Sequence, residues 1–140
     1  GNFLKTMLRL AQERDSLSVV ADQQGVPTSA RWMAQVTRQV LQRPDHASHS
    51  GLFHLSNAGQ TTWHGYAQYV LAQAARMGWS FKVQAEQVKA IATADYPLPA
   101  ARPANSLLDT RSVQQKWGLA IPTWQTGVDE VLAALWAQRS

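Results

Sequence analysis

Apolar residues recur every three to four positions in several stretches of the chain, which is the spacing of amphipathic helices. The first stretch runs from Asn2 to Arg14, with Asn2 as a candidate N-cap. The pattern is clearest in residues 61–78, where two tryptophan or tyrosine rings and several aliphatic side chains share one side. The sequence therefore predicts five helices, over residues 2–14, 30–43, 61–78, 110–118 and 121–140.

Capping residues mark the ends of several of these helices. Thr28 or Ser29 can begin the second helix and Thr61 the third, because a side-chain oxygen there accepts a hydrogen bond from a first-turn amide. Gly78 and Gly118 can end the third and fourth helices, since glycine adopts the left-handed conformation at no steric cost.

Short stretches with the composition of β-strands separate the helices. They are LSVVADQQG (17–25), LFHLSN (52–57) and SFKVQAEQV (80–88). Because strands alternate with helices and no internal repeat occurs, the pattern predicts an α/β fold with a small mixed sheet, in part parallel. A sheet this small needs a neighbouring lobe to cover it.

Composition narrows the class of protein. The 140 residues are 45% hydrophobic and include six tryptophans, enough for one domain with a packed core. There is no cysteine for a disulfide or a thiolate metal site, and no stretch resembles a signal peptide or a membrane span. The net charge of +4 comes from basic residues that are scattered along the chain rather than clustered in one run. We therefore expect a soluble cytoplasmic protein without a nucleic-acid or membrane partner.

Most of the motifs that signal chemistry are absent from the sequence. No G-x-G-x-x-G, G-x-x-x-x-G-K-[ST] or G-x-S-x-G motif occurs. His46 and His49 beside Asp45 could be read as metal ligands, but no third or fourth partner stands at ligand spacing, so a solvated loop is favoured and no metal is predicted. His54 and His64 are interpreted as satisfied or exposed imidazoles.

The start of the first helix is one candidate for anion binding. The amide groups that follow Asn2 have no partner within the helix, and the helix dipole favours a negative charge there. Every helix has such an end, so an ordinary cap at Asn2 is the favoured interpretation on these residues alone.

Arg102 with Asn105 is the second candidate. Pro97, Pro99 and Pro103 restrict the backbone on both sides of Arg102, so its guanidinium loses little entropy on binding a phosphate or carboxylate. A surface arginine in a linker is an equal alternative before any relationship is considered.

Several stretches together resemble the C-terminal part of dTDP-4-dehydrorhamnose reductases, members of the extended short-chain dehydrogenase/reductase superfamily. The resemblance covers essentially the whole chain and is most specific in D-Q-x-G-x-P-T, residues 22–28, and R-P-x-N-S-x-L, residues 102–108. It implies that residues 1–140 form the sugar-nucleotide-binding portion of a Rossmann-type enzyme. The stretches are NFLKTMLRLAQER, LSVVADQQGVPT, GLFHLSNAGQTTWHGYA, YPLPAARPANSLLDT and WGLAIPTWQTGVDEVL.

The resemblance also implies a reaction. In this family NADPH, or NADH in some members, reduces the 4-keto group of dTDP-4-dehydro-L-rhamnose, the last step of dTDP-L-rhamnose synthesis. The family's N-terminal half carries the glycine-rich dinucleotide motif and a catalytic Tyr-x-x-x-Lys, and neither motif occurs here. The chain, which begins at Gly1, is thus expected to lack the Rossmann half, to hold no catalytic residue, and by itself to bind no cofactor and reduce nothing.

Substrate contacts are what the resemblance transfers to this sequence. The arginine is implied to grip the substrate diphosphate and the asparagine three residues later to reach the nucleoside. The first helix start is implied to meet a substrate phosphate, and the G-V-P-T turn to lie near the sugar and nicotinamide. The implied substrate-binding residues are Asn2, Phe3, Gly25, Pro27, Thr28, Arg102 and Asn105.

Partners and alternatives follow from the same resemblance. Some members join two subunits through magnesium and glutamates, but the matching positions here are Arg31 and Ala134, which cannot ligate a hard cation. No magnesium-bridged dimer is therefore predicted, whereas an uncovered sheet face and edge predict self-association of the isolated chain. The alternatives are a non-catalytic regulatory subunit of the same superfamily and a protein-interaction module that uses exposed tryptophan-bearing helices.

Overall fold

Five α-helices form most of the regular secondary structure among the described residues, as the apolar spacing predicts. A computed structural model describes residues 2–96 and 99–139. Within them the predicted helices are all confirmed, with bounds one to a few residues shorter than the sequence pattern. The helices are α1 (Phe3–Glu13), α2 (Ala30–Leu41), α3 (Trp63–Arg76), α4 (Arg111–Trp117) and α5 (Trp124–Ala137).

The helix caps follow the sequence with one exception. Asn2 caps α1 and Ser29 caps α2, each through a side-chain oxygen that accepts a hydrogen bond from a first-turn amide. The cap of α3 is Thr62 and not Thr61, because both threonines are extended and the helix begins one residue later than expected. Gly118 ends α4 in the left-handed region, with φ 62°.

In the described part of the chain, four short strands form two separate pairs rather than one sheet. They are β1 (Ser18–Val20), β2 (Gln24–Gly25), β3 (Thr61–Thr62) and β4 (Lys89–Ile91). β1 pairs with β4 in parallel and β2 pairs with β3 in antiparallel. The predicted mixture of strand directions is therefore confirmed in an α/β fold, but it is divided between two two-stranded ladders.

Two strand predictions are wrong. Residues 52–57 form no strand: Phe53 and Leu55 alternate inward and pack against a small core, but no backbone pairs with them in a ladder. In residues 80–88 the apolar positions anchor irregular backbone against α1, where the amides of Lys82 and Val83 both donate to the carbonyl of Ala11. The strand of this region, β4, begins only after residue 88.

The core has two parts. The larger one surrounds α3, whose buried residues are Ala67, Val70, Leu71 and Ala74, each at 0% exposure, and it is completed by the apolar faces of α1 and α5. The smaller one joins α2 to α4 and consists of Val36, Val113, Trp117 and Leu119. Of the helices in the described part of the chain, none has the length and apolar character needed to cross a membrane.

Candidate functional site

The carboxyl ends of the parallel strands β1 and β4 are joined by side-chain hydrogen bonds. Asp22 follows β1 and Thr93 follows β4. The amide of Thr93 donates to both carboxylate oxygens of Asp22 at 3.0 Å, and the Thr93 hydroxyl donates to Oδ1 of Asp22 at 2.6 Å. Ligands of α/β proteins bind outside this end of parallel strands. Both predicted substrate segments, the G-V-P-T turn and the arginine-bearing segment, leave the strand pair from this edge.

Gln24 brings these two segments together a second time. Its amide donates to the carbonyl of Ala104 at 2.8 Å, and its own carbonyl accepts hydrogen bonds from the amide and the hydroxyl of Ser106, at 3.0 and 3.1 Å. These contacts form an isolated parallel bridge between Gln24 and Asn105. The bridge places Asn105 beside the start of the G-V-P-T turn.

Arg102 and Asn105 are both exposed on this surface. Oδ1 of Asn105 accepts a hydrogen bond from the amide of Leu107 at 2.9 Å, which fixes the side chain in an Asx turn. No ion pair joins Arg102 to a carboxylate among residues 2–96 and 99–139, whereas Arg43 and Arg111 each pair with an aspartate two residues away. Of the three prolines that the sequence places around Arg102, Pro97 lies outside the described residues.

Gly25 packs closely against Ser106. A Cβ built at this position would lie 2.8 Å from Oγ of Ser106, closer than side-chain contacts allow. The next residues of the turn are half-buried. Thr28 accepts a hydrogen bond from the amide of Asn57 at 3.3 Å and Pro27 precedes it, so Thr28 holds the turn in place. Gly25 therefore lies against Asn105's segment, while Thr28 faces the body of the domain.

The start of α1 lies against the start of α3. Oδ1 of Asn2 accepts a hydrogen bond from the amide of Lys5 at 3.0 Å, so the expected cap is present. The Phe3 ring lies 4.9 Å from that of Trp63 and 5.1 Å from that of Tyr66. Because β3 immediately precedes α3 and pairs with β2, this aromatic cluster, the G-V-P-T turn and Asn105 are gathered at one end of the molecule.

Asn57 is a structural residue of this site that the sequence does not reveal. It is 3% exposed, accepts a hydrogen bond from the amide of Ser29 at 2.9 Å, and donates from Nδ2 to the carbonyl of Pro122 at 3.0 Å. With its backbone bond to Thr28, it fastens the end of the turn to the segment that leads into α5. Nothing in the local sequence marks it, because its burial is created by segments far apart in the chain.

The pKa values of Tyr66 and Tyr69 are both raised, although the charge of Arg76 acts on Tyr69 in the opposite direction. Burial raises the pKa of Tyr66 above its ordinary value. Burial also raises the pKa of the Tyr69 hydroxyl, and so does its hydrogen bond to the Asp129 carboxylate at 3.0 Å. A catalytic tyrosine needs a neighbouring cation that lowers this pKa. The net shifts of Tyr66 and Tyr69 run in the opposite direction.

Hydrogen bonds within the protein account for the polar side chains of the histidine loop, the segment from Asp45 to His49. Asp45 accepts two hydrogen bonds from the Arg43 guanidinium, which holds the pKa of this carboxyl at about 2. Nδ1 of His49 lies 3.0 Å from the Asp45 carbonyl oxygen, and Nε2 of His64 lies 2.9 Å from that of Val88. No group of three or more histidine, aspartate or glutamate side chains with the geometry to hold a metal occurs where the structure is described.

Two open grooves lie elsewhere on the surface. One runs between α3 and the 3-10 turn at Ala85–Gln87, and the other between α2, the histidine loop and α4. Neither groove is lined by any of the seven predicted substrate-binding residues. Arg102 and Asn105 instead occupy exposed surface at the carboxyl edge of the strand pair.

Fold and site together define an α/β domain with exposed polar residues on loops at the carboxyl ends of a parallel strand pair. Comparison with known families makes this specific: the family model described as the RmlD substrate binding domain matches residues 1–136. The chain belongs to this family. The resemblance stated from the D-Q-x-G-x-P-T and R-P-x-N-S-x-L motifs is thereby confirmed.

Individual relatives agree with the family. The chain is 44% identical over 139 residues to the dTDP-4-dehydrorhamnose reductase of Escherichia coli strain K12 and 42% identical to that of Salmonella typhimurium. Each match covers 96% of this chain and 45% of the relative, so the chain spans less than half the length of these curated relatives.

Solved structures give the same result for the fold. The dTDP-4-dehydrorhamnose reductase of Bacillus anthracis, in complex with NADP, matches with a TM-score of 0.82 and 30% identity, over 96% of this chain and 43% of that one. The reductase orthologue of Clostridium acetobutylicum matches with a TM-score of 0.81 and 29% identity, over 96% of this chain and 44% of that one.

Proposed function

We propose that this chain is the sugar-nucleotide-binding part of a cytoplasmic dTDP-4-dehydrorhamnose reductase. The complete enzyme would reduce the 4-keto group of dTDP-4-dehydro-L-rhamnose to give dTDP-L-rhamnose for cell-surface polysaccharide. The observation that carries this proposal is the bridge from Gln24 to Asn105, which sets the R-P-x-N-S-x-L segment beside the D-Q-x-G-x-P-T turn. Relatives with more than 40% identity bear the name of this enzyme.

In the proposed complex Arg102 binds the substrate diphosphate. Its guanidinium is exposed and forms no ion pair with the described carboxylates, so it can offer two parallel N–H donors to phosphate oxygens. Pro103 limits the backbone next to it, which reduces the entropy lost on binding. Asn105, fixed by its Asx turn, retains an amide NH₂ group that can donate to the nucleoside.

The start of α1 and the turn at Gly25 complete the proposed surface. The side chain of Asn2 accepts a hydrogen bond from one first-turn amide. The other first-turn amides and the helix dipole favour binding of a phosphate at this end of the helix. Phe3 supports this end through its contact with Trp63. Gly25 lies beside the segment of Asn105, where a sugar ring attached to the diphosphate would extend, and Pro27 and Thr28 continue the same turn.

The cofactor is assigned to a different part of the enzyme. NADPH or NADH supplies the hydride when bound, but this sequence has no glycine-rich dinucleotide loop and no Tyr-x-x-x-Lys, so the residues present do not form its site. We assign the dinucleotide loop and the Tyr-x-x-x-Lys motif to a Rossmann half, for which the greater length of the relatives leaves room. The role of this chain is to bind and orient the substrate toward that half.

A calorimetric titration with dTDP-L-rhamnose tests the proposal. The wild-type chain and the Arg102→Ala variant are compared, and a parallel titration with NADPH follows nicotinamide fluorescence. We expect binding of the sugar nucleotide that is lost in the variant, without fluorescence enhancement. If neither protein binds, the site is not preformed in this chain, and the same variant must be tested in the longer enzyme. Unchanged kinetics there would refute the role of Arg102.

A further inference from the structure

Three consecutive residues hold both ends of the segment that carries Arg102. At one end, Asp22 accepts three hydrogen bonds from the amide and hydroxyl of Thr93, and Nε2 of Gln23 donates to the same hydroxyl at 3.0 Å. At the other end, the backbone of Gln24 is bonded to Ala104 and Ser106. The segment from Thr93 to Ser106 is thus closed at its base like an Ω-loop.

These hydrogen bonds restrain the two ends of the segment. Each of the residues 99–106 is exposed, so none of these eight side chains is buried in the core. Apart from the 3-10 turn at Thr93–Asp95 and the bridge at Asn105, the described part of the segment has no regular secondary structure. The direction in which Arg102 points therefore depends on how firmly the base is closed.

We propose that Asp22 is a positioning residue that acts through Thr93 to hold Arg102 in place for binding the diphosphate of a nucleotide sugar. This inference rests on the proposed function of Arg102. Asp22 is itself a carboxylate at an anion-binding edge, where its charge would repel a phosphate. Its presence there is explained by the three hydrogen bonds that it accepts.

The two effects of Asp22 have opposite signs, which gives a decisive test. Asp22→Asn removes a negative charge, so electrostatics alone predicts tighter binding of dTDP. Loss of positioning predicts weaker binding. We expect the dissociation constant of dTDP, measured by calorimetry on the full chain, to rise roughly tenfold in this variant, as for loss of a charged hydrogen bond. Equal or tighter binding would overturn the proposal.

Asp95→Asn is the matched control. Asp95 is an exposed carboxylate on the same segment, and its Oδ2 accepts a hydrogen bond from the amide of Ala92 at 3.2 Å, within the 3-10 turn rather than across the base. We expect dTDP affinity in this variant to stay within about twofold of the wild type. Thr93→Ser keeps the hydroxyl and should bind like the wild type, whereas Thr93→Ala should bind more weakly.

A double-variant cycle shows whether Asp22 acts through Arg102. With lysine at position 102, a point charge replaces the planar fork, and precise orientation matters less. We expect Asp22→Asn to weaken dTDP binding clearly less in the Arg102→Lys background than in the wild type. An equal fold-change in both backgrounds would mean that Asp22 affects binding without Arg102, and would overturn the proposal.

Hydrogen exchange without ligand separates this inference from the proposed function. Asp22→Asn should speed exchange at the amides of Thr93 and Ser106, while exchange within α3 stays as slow as in the wild type and shows that the core is folded. If the wild type does not bind dTDP, the site is not preformed in this chain, and the affinities are compared in the longer enzyme. In that case unchanged exchange at Thr93 and Ser106 would overturn the positioning role, and faster exchange would support it.

Discussion

The carbonyl oxygen of Gln24 accepts two hydrogen bonds from Ser106, one from the amide at 3.0 Å and one from the hydroxyl at 3.1 Å. This double contact draws the segment with Asn105 so close to the turn at Gly25 that a Cβ there would displace the Ser106 hydroxyl. The glycine of the D-Q-x-G-x-P-T motif is therefore explained by the approach of the R-P-x-N-S-x-L segment. Two motifs that lie far apart in the sequence form one surface.

Gly25→Ala should disturb this contact, because the new methyl group would lie 2.8 Å from Oγ of Ser106. The φ angle of Gly25 is not positive, so the backbone itself accepts alanine. We expect displacement of the hydroxyl to lower the free energy of unfolding by about 1 kcal/mol, measured with urea. In the Ser106→Ala background the same change should be neutral or slightly stabilising, since alanine restricts the unfolded chain. Equal losses in both backgrounds would contradict this explanation.

Local pattern was sufficient for the helices and insufficient for the strands. Val70, Leu71 and Ala74 show the helical period in sequence because they pack on one face of α3. Phe53 and Leu55 alternate like strand residues, yet they pack beside Trp117 without a ladder partner. Whether an extended stretch pairs depends on which distant backbone segment lies beside it, and the local sequence does not show which segment that is.

In the candidate site, too, the sequence identifies some of the residues but not the contacts that bring them together. The resemblance named Gly25 and Asn105, but their proximity depends on the bridge through Gln24. Asp22 lies inside a recognised motif without an apparent role until Thr93 is seen to contact it. Asn57 is found only from the fold, since its three partners come from segments on either side of it in the chain.

Asn57→Ala should be among the more destabilising single changes. It leaves the Ser29 amide and the Pro122 carbonyl without their partner at a site that is 3% exposed. We expect a loss of about 2 to 4 kcal/mol in the free energy of unfolding, measured by urea denaturation. Gln35→Ala, on the exposed side of α2, is the control and should change stability by less than about 0.5 kcal/mol. A similarly small loss for Asn57→Ala would show that the network is dispensable.

Acid should weaken the fold in part through Asp22. The hydroxyl and amide of Thr93 both donate to this carboxylate, and these bonds lower its pKa in the folded state. A lowered folded-state pKa adds stability above the unfolded value of about 3.9, and that stability is lost as the pH falls through the folded-state pKa. The unfolding free energy of the wild type should therefore fall more steeply below about pH 4 than that of Asp22→Asn. Parallel curves from pH 6 to pH 2 would contradict this linkage.

Magnesium should leave the assembly state unchanged. Arg31 on α2 and Ala134 on α5 occupy the positions at which the family resemblance implies glutamate ligands. A guanidinium repels a divalent cation and a methyl group offers no oxygen. Sedimentation velocity in magnesium and in EDTA should give the same mass, whether the chain is monomeric or self-associated. A larger species in magnesium that dissociates in EDTA would show that other residues bind the metal.

Arg102→Ala should weaken substrate binding more than any other single arginine change. Loss of a bidentate, charged contact to a diphosphate costs about 2 kcal/mol or more, or roughly thirtyfold in kcat/KM of the longer reductase to which we assign this chain. Arg102→Lys retains the charge without the planar fork, so its loss should be smaller and more sensitive to salt. Arg38→Ala, an exposed arginine in the last turn of α2, is the matched control and should leave the kinetics unchanged. KM and kcat equal to wild type in Arg102→Ala would remove this residue from the site and leave Asn105 and the start of α1 as the remaining candidates for the diphosphate.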